Sequence, residues 1–373
     1  MCKAKVDGAL EPRDVERLLR ADIERAGGRG PWARAVALSP PTASRRLVAP
    51  AGRYNEYMDV ATITETTRRP RFRRASEPPA FRLTDDDVII VRQLARYRFL
   101  RSTHIAALIG RSLDRTNDRL SRLFHAGYLD RPQAQLDYYP TSGSAPMVYA
   151  LADRGARLLI ERYGIEFANV EWSRKNRKAG RPFIEHQLAI VDFNVALQLA
   201  TRDRTDVRLV HPDEMVTSFP DRKFGRRNPF ALRVNISHQG TVHAIAVVPD
   251  IVFGLAFPDH SRHCFMVEID RGTMPIVRKD FMQTSFERKM RAYLTAHAAK
   301  FHERQFGWKT FRVISITTDR HRMKSMSDAL RQIHIPHSPG ASLFFFATRD
   351  ELRASDPLAH PWRDGNGRDV HLI

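Results

Sequence analysis

Three carboxylates in the second half of the chain have types and spacing suited to holding a hard cation. Asp250 follows Pro249, and Glu268 and Asp270 stand two apart in FMVEID. Residues two apart on a β-strand leave the same face, so Glu268 and Asp270 are expected to point together. If the strand beginning at Asp250 is its neighbour, the three acids converge, and such a set could bind Mg2+ or Mn2+. A cation held this way would neutralise a phosphodiester and activate a water, which is the chemistry of DNA hydrolysis. Glu185 is a candidate fourth ligand through water, and His186 a candidate for orienting a phosphate or capping the sheet. Asp270 cannot supply positive charge to hold the water, and Arg271 does not release a proton near neutrality. Lys289, in FERKMRAYL, could substitute from the following helix, where it shares a face with Tyr293. The plain alternative is three solvated carboxylates at strand ends, a salt-bridged lysine and a packing tyrosine.

The elements that must position these groups follow from apolar periodicity. IEHQLAIVDFNVALQLA reads as a helix with Leu188, Val191, Val195 and Leu199 on one face. Strands are expected at 207–211, as two short pieces meeting near Pro249, and at HCFMVEID. A long helix at about 279–298, the strand FRVISITT, the helix SMSDALRQI and the strand SLFFFAT complete the order. HPDEM reads as a turn, and His334 and His337 as loop residues. Residues 184–350 are thus expected to form a mixed α/β sandwich, with helices covering a central sheet. Residues 351–373 read as a C-terminal tail.

Residues 81–165 carry a different pattern. Thr84 is a good N-cap, followed by three aspartates in the first turn, where the helix dipole favours negative charge. Helices are expected from there, at 102–109 and from Ser112 to about His125, then two strands at 128–129 and 148–151, and a further helix from Asp153 to Tyr163. Three helices and a two-stranded wing describe a winged helix-turn-helix, whose third helix enters the major groove. In SLDRTNDRLSRLFHAGYL, Leu113, Leu120, Leu123 and Phe124 are expected inward. Arg115, Thr116, Asn117, Arg119 and Arg122 are expected outward, where arginine can read guanine and asparagine adenine. An ordinary solvated helix face, or a protein-binding one, is the alternative. Residues 166–183 read as a linker whose Arg174, Lys175, Arg177, Lys178 and Arg181 could touch phosphates. Residues 1–80 read as a basic, poorly structured region with one helix at Pro12–Ala26.

Composition narrows the partners. Lysine and arginine total 61 against 42 acids, a net charge of +19, which favours a polyanion, and double-stranded DNA first. Cys2 and Cys264 exclude a disulfide framework and a cysteine zinc site. No motif points to an organic cofactor. No apolar run approaches the ~20 residues of a bilayer span, and MCKAKVDGALEPRD lacks a signal-peptide core, so no membrane and a cytoplasmic location are expected.

Several phrases together resemble the replication-relaxation family of plasmid and mobile-element proteins. They are LTDDDVIIVRQLARYRFL, SRLFHAGYLDR, VYALADRGARLL, EHQLAIVDF and FMVEIDRGT, and the resemblance covers the stretch from Phe81 to about Thr348. The order of elements, with PD followed by E-x-D, also resembles the PD-(D/E)xK nuclease superfamily. The resemblance implies an α/β (α+β overall) protein, an N-terminal winged helix-turn-helix followed by a restriction-endonuclease-like sandwich. It implies plasmid DNA, and other replication or mobilisation proteins, as partners. It also implies that some active superfamily members carry an acid in the lysine slot. Three functions stay open: a DNA-binding protein of plasmid replication, a Mg2+-dependent endonuclease or nickase, and a winged-helix transcription regulator.

Overall fold

A computed structural model describes residues 71–78, 80, 82–135, 145–165, 167, 171–220 and 228–373. The expected helix at 12–26 and residues 136–144 lie outside the described residues. Residues 74–373 form one compact unit of mixed α+β structure.

The first elements are α1 (Asp85–Tyr97), β1 (Phe99–Arg101), α2 (Ser102–Ile109), α3 (Leu113–His125), β2 (Leu129–Asp130), β3 (Val148–Leu151) and α4 (Asp153–Tyr163). α1 starts where its cap predicts: Thr84 N donates to Asp87 Oδ2 at 2.7 Å, a reciprocal capping box. Ile90, Val91 and Leu94 of α1 meet Leu120, Leu123 and Phe124 of α3 in one core. β1, β3 and β2 form a three-stranded antiparallel sheet in that order. The sequence reading anticipates only two of these strands, because three residues, FLR, are too few to show alternation. Gly155 opens the tight approach of α4 to this sheet: a Cβ there would lie 2.4 Å from the Tyr128 carbonyl oxygen.

The expected linker is largely helical. α5 (Trp172–Lys178) is tied down by Asn176, whose Nδ2 donates to Asp130 Oδ2 at 3.1 Å and to the Leu151 carbonyl at 2.8 Å. α6 (Arg181–Thr201) then serves two cores at once. Its Val191 and Val195 pack with α1–α3, while Phe193 and Leu197 pack on the strands that follow. A helix apolar on several faces has to be enclosed on several sides. Polar locks reinforce it: Tyr97 Oη donates to Gln198 at 2.7 Å, and Arg101 and His104 both pair with Asp192.

The remaining elements are β4 (Arg208–Val210), α7 (Pro212–Thr217), β5 (Leu232–His238), β6 (Thr241–Val247), β7 (Ile251–Ala256), β8 (Arg262–Ile269), α8 (Phe286–Ala298), β9 (Arg312–Thr317), α9 (Arg320–Arg331), β10 (Phe344–Thr348), α10 (Arg349–Arg353), β11 (Trp362–Asp364) and β12 (Asp369–Val370). Seven strands form one sheet in the order β12-β11-β10-β9-β8-β7-β4, with β8, β9 and β10 parallel and the other pairs antiparallel. Along β8 the faces alternate. Phe265, Val267 and Ile269 join the core under α6, whereas Cys264 and Met266 join the core under α8 and α9. β5 and β6 make a separate hairpin. Of this hairpin the sequence reading anticipates β6 but not β5. HPDEM, read as a turn, starts the short helix α7. α8 begins at Phe286 rather than near 279, capped by Ser285, which accepts from the Arg288 amide. Residues 351–373, read as a tail, contribute two strands, and Trp362 is fully buried.

Candidate functional site

β8 and β7 run antiparallel, and this pairing fixes the acids. Asp250 immediately precedes β7, and its amide bonds the Val267 carbonyl at 2.9 Å. Glu268 lies on the β8 face that looks towards α8. Asp270 follows two residues later, its amide held by the Ile316 carbonyl at 2.8 Å. Asp250, Glu268, Asp270, His186 and Lys289 all line one open cavity of about 190 Å3. The predicted acids therefore do gather at one end of the sheet.

Their partners were not all foreseeable. Glu268 is 2% exposed; Lys289 Nζ donates to its Oε2 at 2.5 Å and Tyr293 Oη to its Oε1 at 2.6 Å. Lys289 and Tyr293 thus use their shared helix face on the same carboxylate. Burial pushes the Glu268 carboxyl up. Burial opposes charge on Lys289, but Glu268, with Asp250 and Asp270 beyond it, outweighs that and holds its ammonium above the usual lysine range. Burial and the neighbouring Glu268 raise the Tyr293 hydroxyl far above a normal phenol.

Asp270 has a different setting. It is 6% exposed and accepts from Arg322 through Nε to Oδ2 at 2.5 Å and through Nη2 to Oδ1 at 2.9 Å. Thr317 Oγ1 adds a third bond at 2.7 Å. Arg322 also donates to the Met274 carbonyl, and Arg349 to that of Asp270, so the turn after β8 is pinned from both sides. Asp250 accepts from the Ile269 amide at 2.8 Å, and His186 Nε2 lies 3.2 Å from its Oδ1. Glu185 turns away to Arg181 and Arg271. Sequence reasoning missed Arg322 and Thr317. Nothing local marks Arg322, which sits in the first turn of α9, 52 residues from its partner.

Mg2+ requires oxygen ligands at about 2.0–2.1 Å in near-octahedral array, and Mn2+ also favours such oxygens. Every oxygen of these three carboxylates already meets a hydrogen-bonding group of the chain. Among the described residues no group of three or more histidine, cysteine, aspartate or glutamate side chains is placed to hold a metal. As arranged, the donor set does not fit a divalent cation.

The residues singled out on α3 divide. Arg115 and Asn117 are exposed, and exposed Arg122 pairs with Asp118 at 3.1 Å. Thr116, expected outward, is 1% exposed and donates to the Ser112 carbonyl at 2.8 Å. Arg119, also expected outward, folds back to Asp87, with Nε 2.6 Å from Oδ1 and a second bond to Oδ2. Leu113, expected in the core, is 42% exposed. Thr116 lies one turn before Leu120 on the buried face, whereas Leu113 on the same stripe stands at the exposed start of α3. On α5, Arg177 and Lys178 are exposed, Arg174 pairs with Glu171, and Lys175 lies over the Trp172 ring at 5.2 Å.

Fold and site together define a mixed α+β protein: a small helical part with a three-stranded sheet, joined by one shared helix to a larger sheet with a self-paired acidic cavity. The replication-relaxation family model matches residues 91–313, and the chain belongs to that family. Comparison with curated proteins and with solved structures returned no match. No helix among the described residues is long and apolar enough to cross a membrane.

Proposed function

We propose that this protein binds duplex DNA through α3 and acts in the replication or relaxation of plasmid or mobile-element DNA, in company with other replication or mobilisation proteins. Membership of the replication-relaxation family supports the setting. The observation that carries DNA binding is exposed Arg115 and Arg122, seven residues apart on one face of a helix whose opposite side is buried, with Asn117 exposed beside them in its first turns. Three helices with a small antiparallel sheet, one strand after the first helix and two after the third, make a winged helix, which inserts its third helix into the major groove. α5 is anchored to β2 and β3 through Asn176, so its exposed Arg177 and Lys178 ride on the same rigid part. They add phosphate contacts that do not depend on sequence.

The test is fluorescence anisotropy of a labelled duplex across a salt series. Each phosphate contact contributes about 0.9 to the slope of log K against log salt. Arg177→Ala with Lys178→Ala is expected to lower that slope by roughly 1–2 and to weaken all sequences alike. Salt-insensitive or absent binding by the intact chain would sink the proposal.

Cleavage by a PD-(D/E)xK-type site is the second reading, favoured by the convergence of Asp250, Glu268 and Lys289 on one cavity. Incubating supercoiled plasmid with the protein and Mg2+ or Mn2+ tests it. Nicking that disappears in Asp250→Ala/Glu268→Ala, with duplex binding kept, would establish it.

A further inference from the structure

We propose that Lys289 stands in for a divalent cation: its ammonium neutralises the acidic cavity from within, so the native chain binds no stoichiometric Mg2+ or Mn2+ there. This bears directly on the cleavage reading and leaves the DNA-binding reading untouched.

Carboxylates withdrawn from water need compensating positive charge. A nuclease-like cavity commonly draws that charge from a metal; here the chain supplies it from Arg322 and Lys289. Arg322 binds Asp270 through two bonds at 2.5 and 2.9 Å, and that pair is nearly closed to solvent on both sides. His186 meets Asp250 at the rim. Lys289 is the group that enters the cavity wall beside buried Glu268. A lysine ammonium is a compact point charge with three donors, the side chain most like a small hard cation in what it offers carboxylates. All three acids act on it, since Glu268, Asp250 and Asp270 each stabilise its charge. A divalent ion entering beside Glu268 would have to displace that ammonium or share the carboxylate with a like charge. With Lys289 removed, Glu268 faces Asp250 across the cavity with only Tyr293 donating to it.

The experiment is Mn2+ binding to the full chain after chelator dialysis, followed by the paramagnetic resonance of free Mn2+. Native protein is expected to show no saturable site at millimolar Mn2+. Lys289→Ala is expected to gain one site per chain, bound about tenfold or more tightly than anything on the native protein. Adding Glu268→Gln to that variant should abolish the gain. Lys289→Gln keeps a hydrogen-bond donor beside Glu268 and provides a second charge-free variant should alanine fail to fold. One saturable Mn2+ on the native protein overturns the proposal, and so does a folded charge-free variant that gains none. DNA affinity does not enter this readout, so its loss or persistence leaves the two conclusions separable.

Discussion

Arg119 and Arg122 are neighbours on one helix, three residues apart, yet the structure separates their jobs. Arg119 closes on Asp87, a carboxylate with 0% exposure that also caps α1 through Thr84. Among the described residues Arg122 pairs with Asp118, whose side chain is 62% exposed. Removing one partner of a buried pair typically costs about 3–5 kcal/mol, because the other charge is stranded. Arg119 is itself 22% exposed, and Thr84 still donates to Asp87 through its amide and hydroxyl. The lower end, about 3 kcal/mol, is therefore expected for Arg119→Ala. Surface pairs contribute about 0–1 kcal/mol, so Arg122→Ala should change stability by no more than about 0.5 kcal/mol. Urea unfolding of both variants reads this directly as a shift in midpoint at constant slope. Duplex affinity, measured well below the unfolding transition, should fall for Arg122→Ala and change less for folded Arg119→Ala. The reasoning fails if Arg119→Ala unfolds at the native midpoint while losing as much affinity as Arg122→Ala.

Two further outcomes are expected. Gly155→Ala would push a Cβ to 2.4 Å from the Tyr128 carbonyl and 2.8 Å from Leu151 Cδ1, so it should cost about 1–3 kcal/mol in urea unfolding. An unchanged midpoint would show that α4 can slide away. Burial, and then neighbouring His302, push the His297 imidazole from the ordinary 6.5 down to about 4; the two rings stack with centroids 4.5 Å apart. Because the unfolded chain takes up this proton first, His297 stabilises the fold fully above pH 6.5 and progressively less as pH falls from there towards 4. Thermal melts across that window should show a shallower acid loss for His297→Gln, and equal slopes would dismiss the effect.

Much of the architecture is legible in residue order because it depends on local pattern. The Thr84 cap with its aspartates, the apolar period of α1 to α4 and the near-continuous apolar runs of β7 to β9 all show in short windows. The elements that escape are those stabilised from elsewhere. β1 has three residues and β12 two, and both exist because a neighbouring strand supplies their hydrogen bonds. α5 reads as a basic linker because six of its seven residues are polar or charged. It is helical where buried Asn176 finds Asp130 and the Leu151 carbonyl.

What residue order determined alone is the set of acids, Asp250, Glu268 and Asp270, with the last two on one strand face, and Lys289 and Tyr293 on a shared helix face. Only the tertiary structure brought Asp250 beside the other two and decided which group each acid meets. Lys289, Arg322 and His186 reach their carboxylates from 21, 52 and 64 residues away. Periodicity orients a side chain relative to its own element, whereas charge pairing at this range depends on how separate elements dock. Whether three acids hold a metal or hold the chain together is a property of that docking.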